Sequence, residues 1–409
     1  MAQLKRTLGV GQCIFFGVGS ILGAGIYTIV GKVAGWSGNL LWLSFLLASV
    51  TALLTAFSYA ELSAAFPKAG GEYEYTKRAF GKSFGIITGA IISMNGIISG
   101  ATVSVGFAGY FAELVSLPLL LASLGIIGLI FFVNIIGIRE SSIVNIIFTL
   151  IETGGLFFVV FSALPHLGGT DYFKMPEQGL NGFLAGAALA FYAFIGFEEI
   201  VKLAEETKNP QKNIPKALFS ACIIVMIIYT VVTLAAISAV PSQQLSASES
   251  PLADIAGTTY GKTGALVISV IALFSTSNTI LSNMLGSSRV LLNVSRETSK
   301  LKKLSFVSAR SKTPVAALVL ILVLMCGFAL IGNIETIAMI ANLFIYTTFL
   351  LVNVSAIILR FKEKNLKRPY KMPFTVAGVP VLSVMAILFV LLLLVFTIYG
   401  LSNSGGSKG

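Results

Sequence analysis

The sequence predicts an all-α polytopic membrane protein from its composition, its recurring apolar runs and the placement of its positive charges. Hydrophobic residues make up 56% of the 409 residues and charged residues only 11%, and the mean hydropathy is +0.91. An ordinary soluble domain does not reach such values, because its surface carries more charge. We therefore expect the chain to lie in a lipid bilayer, with no separate soluble domain.

Eleven apolar segments are long enough for a membrane-spanning helix, which takes about 20 residues. They are Gln12–Val33, Leu40–Phe66, Phe84–Phe111, Pro118–Ile138, Ile143–Leu164, Leu180–Ile200, Lys216–Val240, Gly264–Leu292, Pro314–Ile331, Thr336–Leu359 and Pro380–Tyr399. We expect one transmembrane domain over residues 1–401, and a flexible Gly/Ser-rich tail at 402–409.

The basic residues predict the orientation. Of the 28 Lys and Arg residues, four (Lys32, Lys174, Lys262 and Lys408) fall on one side of the predicted spans and the other 24 on the opposite side. Cytoplasmic loops carry such an excess of positive charge, so we predict a cytoplasmic N-terminus in a cell (plasma or inner) membrane. The net charge of +11 is explained by topology, and we expect no nucleic-acid partner.

The first span contains a stretch that weakens its own helix. Gly17, Gly19, Gly23 and Gly25 fall within nine residues, and each glycine costs a helix about 1 kcal/mol relative to alanine. Non-helical backbone at membrane depth persists only inside the protein or beside a polar cavity, which is typical of a substrate or ion site. Two simpler explanations are a signal peptide after Lys5 and Arg6, and close helix packing through small residues.

A second interruption is predicted at Leu189–Glu199 in the sixth span. The first and sixth spans correspond if spans one to five and six to ten are two repeats. An odd number of spans per repeat gives the repeats opposite orientations, so the pattern predicts a five-plus-five inverted repeat with two broken helices. We place the first repeat at about 12–164, the second at about 180–359 and an additional helix at about 380–399.

Several blocks along the chain resemble the amino acid–polyamine–organocation (APC) superfamily. They are Gly23–Tyr27, Ser58–Leu62, Phe66–Tyr73, Arg78–Gly81, Gly196–Glu199, Ala204–Pro210, Asn213–Ala217, Val352–Val354, Leu359–Arg360 and Arg368–Tyr370. The blocks span nearly the whole chain in the order found in that family. The resemblance implies the five-plus-five fold, two broken helices and transport of amino acids or related amines.

An amino acid requires donors for its carboxylate and acceptors for its ammonium group. Free backbone N–H groups at the start of a half-helix bind anions, and small residues allow close approach. We expect carbonyls of the unwound ends, Gly17–Ile21 and Phe191–Phe194, to hold the ammonium group. The predicted substrate-binding residues are Ser20, Ile21, Gly23, Ala24, Gly25, Phe191, Tyr192, Ala193 and Phe194. In relatives an aromatic residue closes over the substrate, and by resemblance Tyr192 occupies that place.

Glu152 is the one acidic residue deep within a predicted span. Such a group is expected to face the interior and to pair or become protonated, which makes it a candidate proton carrier. Family members often carry a lysine here, seven residues after an asparagine, and Asn145 plus seven is Glu152. The chain therefore reverses the expected charge. The alternative is a protonated structural glutamate.

Other polar residues are candidates for coupling or gating. Ser275, Thr276 and Thr279 in the eighth span resemble the hydroxyls of a sodium site in sodium-coupled relatives. Glu61 and Glu198 lie near helix ends, and we expect solvated charges or ion pairs with Lys202 or Arg289. Coupling to protons is the predicted mechanism, and coupling to sodium is the alternative.

The sequence predicts no enzyme, cofactor or metal site. The single histidine, His166, lies in a predicted outer loop, and no glycine-rich run carries the phosphate-binding GK[ST] pattern. The leading hypothesis is a secondary amino acid transporter working by alternating access. The alternatives are an amino acid exchanger, a polyamine or organic-cation carrier and, less favoured, a receptor or channel.

Overall fold

The computed structural model describes residues 6, 8–67, 71–136, 142–297, 303–307 and 313–404. Its helices are α1 (Val10–Leu22), α2 (Ala24–Ser37), α3 (Leu41–Ala65), α4 (Gly71–Phe80), α5 (Lys82–Ala112), α6 (Leu119–Ile136), α7 (Ser142–Ala163), α8 (Gly179–Ala190), α9 (Glu199–Lys202), α10 (Pro210–Ala239), α11 (Ser242–Ala247), α12 (Pro251–Glu297), α13 (Val315–Ala329), α14 (Ile334–Lys362) and α15 (Val381–Ser404). Two-residue strands β1 (Thr375–Val376) and β2 (Val379–Pro380) form an antiparallel hairpin between α14 and α15.

The helices account for every predicted span. Eight described segments are long and apolar enough to cross a membrane, and the first, Val10–Ala65, contains two predicted spans. Two shorter apolar helices, Leu119–Ile135 and Val315–Ala329, match the fourth and ninth spans. The protein is therefore an all-α multi-pass membrane protein, as predicted. The inverted relation between the two repeats stays a prediction.

Several boundaries differ from the predictions. α10 begins at Pro210 rather than at Lys216, because a proline at the first helical position loses no hydrogen bond. α12 starts at Pro251, before the predicted Gly264, and bends at Gly261, where φ is 56°. The residues before Gly261 therefore form a separate short helical segment. α15 continues through Ser404, three residues into the predicted tail.

Some predicted features lie outside the described residues. These are the end of the fourth span at Ile138, the side chain of Asn145 and residues 405–409 of the tail.

The two interrupted helices pack against both each other and the surrounding helices. The first half-helix, α1, contacts α7 and α10, whereas α2 contacts α5, α8 and α12. The short α11 rests directly on α2. A Cβ atom at Gly31 would lie 2.3 Å from the Leu245 carbonyl oxygen, and one at Gly35 would lie 2.4 Å from Ser246 Oγ. Any side chain at these two positions would push α11 away from α2.

Candidate functional site

The first helix is broken at one residue, Gly23. α1 ends at Leu22, Gly23 has φ −35° and ψ −159°, and α2 starts at Ala24. The predicted unwinding of Gly17–Ile21 is wrong, because these residues are helical. Gly17 and Gly19 instead permit packing: Cβ atoms there would lie 2.3 Å from Ile200 Cδ1 and 2.0 Å from Thr149 Oγ1.

The break releases backbone groups at both half-helix ends from their regular helical partners, and side chains of other helices bond some of them. The last carbonyls of α1, including those of Ser20 and Ile21, lose their regular partners where the helix stops. On the other side, the Ala24 N–H donates to Thr279 Oγ1 at 3.1 Å. Acceptors before the break and donors after it thus lie within a few residues of each other, and their binding of a substrate stays a prediction.

The second interruption lies where the sequence predicts it. α8 ends at Ala190, a single 3₁₀ turn covers Phe191–Phe194, and α9 starts at Glu199. Gly196 lies between them with φ 128°, a conformation that glycine adopts without the steric cost of a side chain. A Cβ there would also lie 2.3 Å from the Ser20 carbonyl oxygen, so the glycine lets the second break approach the first.

The two breaks meet at a tyrosine that the sequence analysis missed. The Tyr229 hydroxyl of α10 lies 2.7 Å from the Ile21 carbonyl oxygen and 3.1 Å from that of Ala193. Gly25 approaches the same segment, since its Cβ would lie 2.8 Å from Ala193 Cα. The sequence signal was one tyrosine in a run of aliphatic residues, and no spacing rule connects it to either break.

Glu152 lies beside the first break. Its side chain is 2% exposed, and its backbone carbonyl accepts a hydrogen bond of 2.9 Å from the Tyr27 hydroxyl of α2. The carboxyl group is also within electrostatic range of the Tyr229 hydroxyl. Its Oε1 and the Ser275 Oγ make no hydrogen bond of standard geometry, but the Ser275 hydroxyl lies close enough to stabilise the charged carboxyl group. A carboxyl group and a hydroxyl group that lack other partners therefore lie next to each other close to the break.

The three polar residues of α12 differ in role. Ser275 and Thr279 are four residues apart and share a helix face, which is the face turned to Glu152 and Ala24. The Thr276 hydroxyl donates to carbonyls of its own helix, at 2.6 Å from Ala272 O and 3.1 Å from Leu273 O. The structure thus brings Ser275 and Thr279 to the first break and leaves Thr276 bonded within α12.

The three aromatic residues of the second break face different neighbours. The Tyr192 hydroxyl donates to the Ser99 carbonyl of α5 at 3.0 Å. The Phe194 ring lies 5.1 Å from that of Tyr229, close to the meeting point of the breaks. Phe191 instead packs on α14, with its ring 4.8 Å from that of Tyr346. Tyr192 and Phe194 therefore line the region between the breaks, whereas Phe191 packs behind it.

Buried polar atoms without partners concentrate around the two breaks. Among the described residues these atoms are Tyr75 OH, Asn95 Oδ1, Ser99 Oγ, Glu152 Oε1, Ser275 Oγ and Asn342 Oδ1. All except Tyr75 belong to α5, α7, α12 and α14, which pack against the broken helices. Native interiors leave few such groups unpaired. Five of these six atoms thus lie on helices that surround the two breaks.

The predicted partners of Glu61 are wrong. Neither Lys202 nor Arg289 pairs with it. Its carboxylate accepts two hydrogen bonds from Arg360, of 2.8 and 2.5 Å, and lies 3.2 Å from Arg368 Nε. This buried network connects α3 to α14 and to the chain that leads to α15. Glu61 thus has a structural role away from the breaks.

Replacing Glu61 with glutamine is expected to destabilise the fold by about 3–5 kcal/mol, because Arg360 would stay buried without its charge partner. Glu74→Gln is the matched control: its pair with Arg78 is partly exposed, with side chains 20% and 35% accessible, and is worth about 1 kcal/mol or less. Thermal unfolding in detergent measures both. Equal midpoints for the two variants would contradict this assignment.

Glu198 belongs to a second buried group of charges. Its carboxylate accepts the Gly196 N–H at 2.9 Å and lies within electrostatic range of Glu72 and Lys202. Lys202 itself pairs with Glu199. Outside the membrane-spanning helices, burial raises the pKa of the Glu72 carboxyl, and the charge of Lys202 opposes that increase. Glu198 therefore stabilises the second break through the Gly196 N–H, and the Glu72 carboxylate of α4 is a like charge nearby.

Comparison with known proteins places this architecture in a family. A family model described as amino acid permease matches residues 8–407. The chain belongs to the amino acid permease family. The permease is accordingly a membrane transport protein and not an enzyme, and the resemblance inferred from the sequence blocks is confirmed.

The names of individual relatives of this permease give different substrates. It is 29% identical over 413 residues to the branched-chain amino acid permease BcaP of Bacillus subtilis, covering 96% of this chain and 88% of the relative. It is 29% identical to the vacuolar cationic amino acid transporter 4 of Arabidopsis thaliana, covering 88% of this chain and 64% of that protein. A methylthioribose transporter of Bacillus subtilis is 26% identical over 93% of this chain and 87% of its own length.

Proposed function

We propose that this permease is a secondary active transporter that moves amino acids across the cell membrane by alternating access, driven by protons. The observation that carries the proposal is the meeting of two broken helices at the Tyr229 hydroxyl. Half-helices that can move apart at such a junction expose a site to one side of the membrane at a time.

The substrate's two charged groups fit the two sides of the first break. The N-terminus of α2 offers the Gly25 N–H and the positive end of the helix dipole to a carboxylate. A bound carboxylate would take over the Ala24 N–H from Thr279 Oγ1, to which it donates here. The carbonyls of Ser20 and Ile21 offer acceptors for an ammonium group at the opposite end. Gly25 packs against the second break, since its Cβ would lie 2.8 Å from Ala193 Cα. A ligand therefore reaches these groups when the two breaks separate.

Glu152 is the proposed proton carrier. Its unpartnered Oε1 beside Ser275 changes its interactions when it gains or loses a proton, and its backbone is bonded to Tyr27 of α2. The Tyr27 contact is made with the Glu152 backbone, so it holds α2 next to the carboxyl group. The contact that a proton would change is the one between the carboxyl group and Ser275. The competing cation is sodium, which Ser275 and Thr279 would bind together with carbonyls of the first break.

Uptake into proteoliposomes tests the proposal. The purified protein is reconstituted and supplied with radiolabelled amino acids under an imposed pH gradient, an imposed sodium gradient or neither. We expect concentrative uptake with the pH gradient alone. If uptake strictly requires sodium, the coupling site is the pair of α12 hydroxyls and not Glu152. If the protein shows counterflow but no concentrative uptake under any gradient, it is an exchanger.

The Tyr229 junction gives a separate prediction. Tyr229→Phe is expected to weaken substrate affinity about five- to tenfold, the value of one hydrogen bond, because the Ile21 and Ala193 carbonyls lose their common donor. Tyr110→Phe is the matched control. Tyr110 is equally buried and its hydroxyl donates to the Tyr27 carbonyl at 2.7 Å, away from the junction.

Equilibrium binding of a radiolabelled substrate measures both affinities, and thermal unfolding compares the stabilities. If both variants lose a similar amount of stability but only Tyr229→Phe loses substrate affinity, the result agrees with a role of Tyr229 at the substrate site. Equal affinities in the two variants would make Tyr229 an ordinary core residue.

A further inference from the structure

One face of α5 runs along both breaks. Asn95, Ser99, Thr102 and Gly106 follow each other at intervals of four, three and four residues, which places them on one side of a helix. The Ser99 carbonyl accepts the Tyr192 hydroxyl, and a Cβ at Gly106 would lie 2.0 Å from Thr28 Cγ2 of α2. The face therefore contacts the first broken helix at one end and the second broken helix at its centre.

Two side chains on this face have polar atoms without partners. Asn95 Oδ1 and Ser99 Oγ make no hydrogen bond of standard geometry, although the residues are only 6% and 4% exposed. The Ser99 hydroxyl lies beside the Tyr192 hydroxyl. Thr102, the next residue on the face, uses its hydroxyl to bond the Ile98 carbonyl at 3.0 Å. A buried oxygen without a partner is costly, so Asn95 and Ser99 are the members of this face that are available to a ligand.

We propose that Asn95 and Ser99 bind the side chain of the substrate, and that this permease prefers amino acids whose side chain carries a neutral hydrogen-bond donor, a hydroxyl or a carboxamide. The inference rests on the proposed function and specifies its substrate class. The ligand's backbone charges lie at the first break, and its side chain extends past Tyr192 to α5.

The residues of this α5 face are a poor match for aliphatic and for cationic substrate side chains. An aliphatic side chain would cover Asn95 Oδ1 and Ser99 Oγ without forming hydrogen bonds to them. Both oxygens would then be buried away from water without a partner, which costs free energy. A cationic side chain requires a carboxylate partner when it is buried, and Asn95, Ser99 and Thr102 are all uncharged. A hydroxyl or amide donates to these oxygens without the cost of burying a charge.

Isosteric substrate pairs test the preference directly. Threonine and valine differ by a hydroxyl in place of a methyl group, and asparagine and leucine have similar size. In proteoliposomes under a pH gradient, we expect uptake of threonine and asparagine with apparent affinities about tenfold or more above those of valine and leucine, because a site that hydrogen-bonds a polar group rejects the isostere that lacks it.

Ser99→Ala is expected to lower the affinity for threonine about five- to tenfold and to leave valine unchanged or slightly improved. Ser93→Ala is the matched control on the same helix, since Ser93 is equally buried but its hydroxyl already donates to the Gly89 carbonyl at 2.9 Å. Asn95→Leu should reduce the preference for asparagine over leucine in the same way. These selectivity ratios do not change when a mutation only lowers the amount of folded protein.

The outcomes separate this inference from the proposed function. Transport of valine, leucine or arginine in preference to threonine and asparagine would overturn the inference and keep the amino acid transporter. An unchanged threonine-to-valine ratio in Ser99→Ala, together with an unchanged asparagine-to-leucine ratio in Asn95→Leu, would also overturn it. Absence of transport for every amino acid would overturn the proposed function itself, and the inference with it.

Discussion

Replacing Gly25 with leucine is expected to abolish amino acid binding in a protein that still folds. Even a Cβ atom at this position would lie 2.8 Å from Ala193 Cα and 3.3 Å from Ala193 Cβ, both of which belong to the second break. A leucine would force the two breaks apart and cover the N–H groups of α2 that are proposed to hold the carboxylate. We expect a loss of affinity beyond the measurable range, and a partial loss in Gly25→Ala.

Gly154→Leu is the control for this substitution. Gly154 also lies within a membrane span, but no atom approaches its Cβ position within 4 Å, so a side chain there points into open space. Equilibrium binding with a radiolabelled amino acid, together with size-exclusion elution of each variant, separates binding from folding. Normal binding by a monodisperse Gly25→Leu protein would remove the first break from the substrate site.

Glu152→Gln is expected to eliminate proton-driven accumulation while preserving binding and exchange. Glutamine has nearly the shape of a protonated glutamate but cannot release a proton, so the variant is fixed in one of the two proposed charge states. The Tyr27 contact survives, since it is made with the backbone of Glu152. The steady-state ratio of internal to external substrate should then fall to about one under a pH gradient.

Two measurements on the same vesicles check this expectation. Net uptake under a pH gradient reports accumulation, and counterflow of labelled against unlabelled substrate reports exchange. Glu177→Gln, an exposed loop substitution, should behave as the parent protein in both. Full accumulation by Glu152→Gln would remove the residue from coupling, whereas loss of counterflow as well as accumulation would assign it a structural role.

The parts of this structure that follow from local composition could be predicted. Span positions depend on apolar length. The second break falls within the predicted stretch Leu189–Glu199, and Gly196 in that stretch has a positive φ. The width of the first break could not be predicted. Four glycines suggest wide unwinding, but Gly17 and Gly19 remain helical because Ile200 and Thr149 occupy the space beside them.

Contacts between spans that are far apart in the chain could not be predicted from the sequence. The partner of Glu61 is Arg360, almost three hundred residues later, and no local pattern distinguishes Arg360 from the other basic residues that determine topology. The contacts of Tyr229 could not be predicted either, since they depend on where the Ile21 and Ala193 carbonyls lie in the folded protein. A hydropathy profile treats each helix separately and carries no information about which faces meet.

The seating of α11 on α2 limits how the outer half of the first broken helix can travel. With no room for a methyl group at Gly31 or Gly35, and with Lys32 Nζ donating to the Ser246 carbonyl at 3.0 Å, α2 cannot tilt without displacing α11. The loop helix α11 and the half-helix α2 therefore form one packed unit that ends at the break, Gly23. We expect a tilt at the outer end of this unit to change the position of the N–H groups at its inner end.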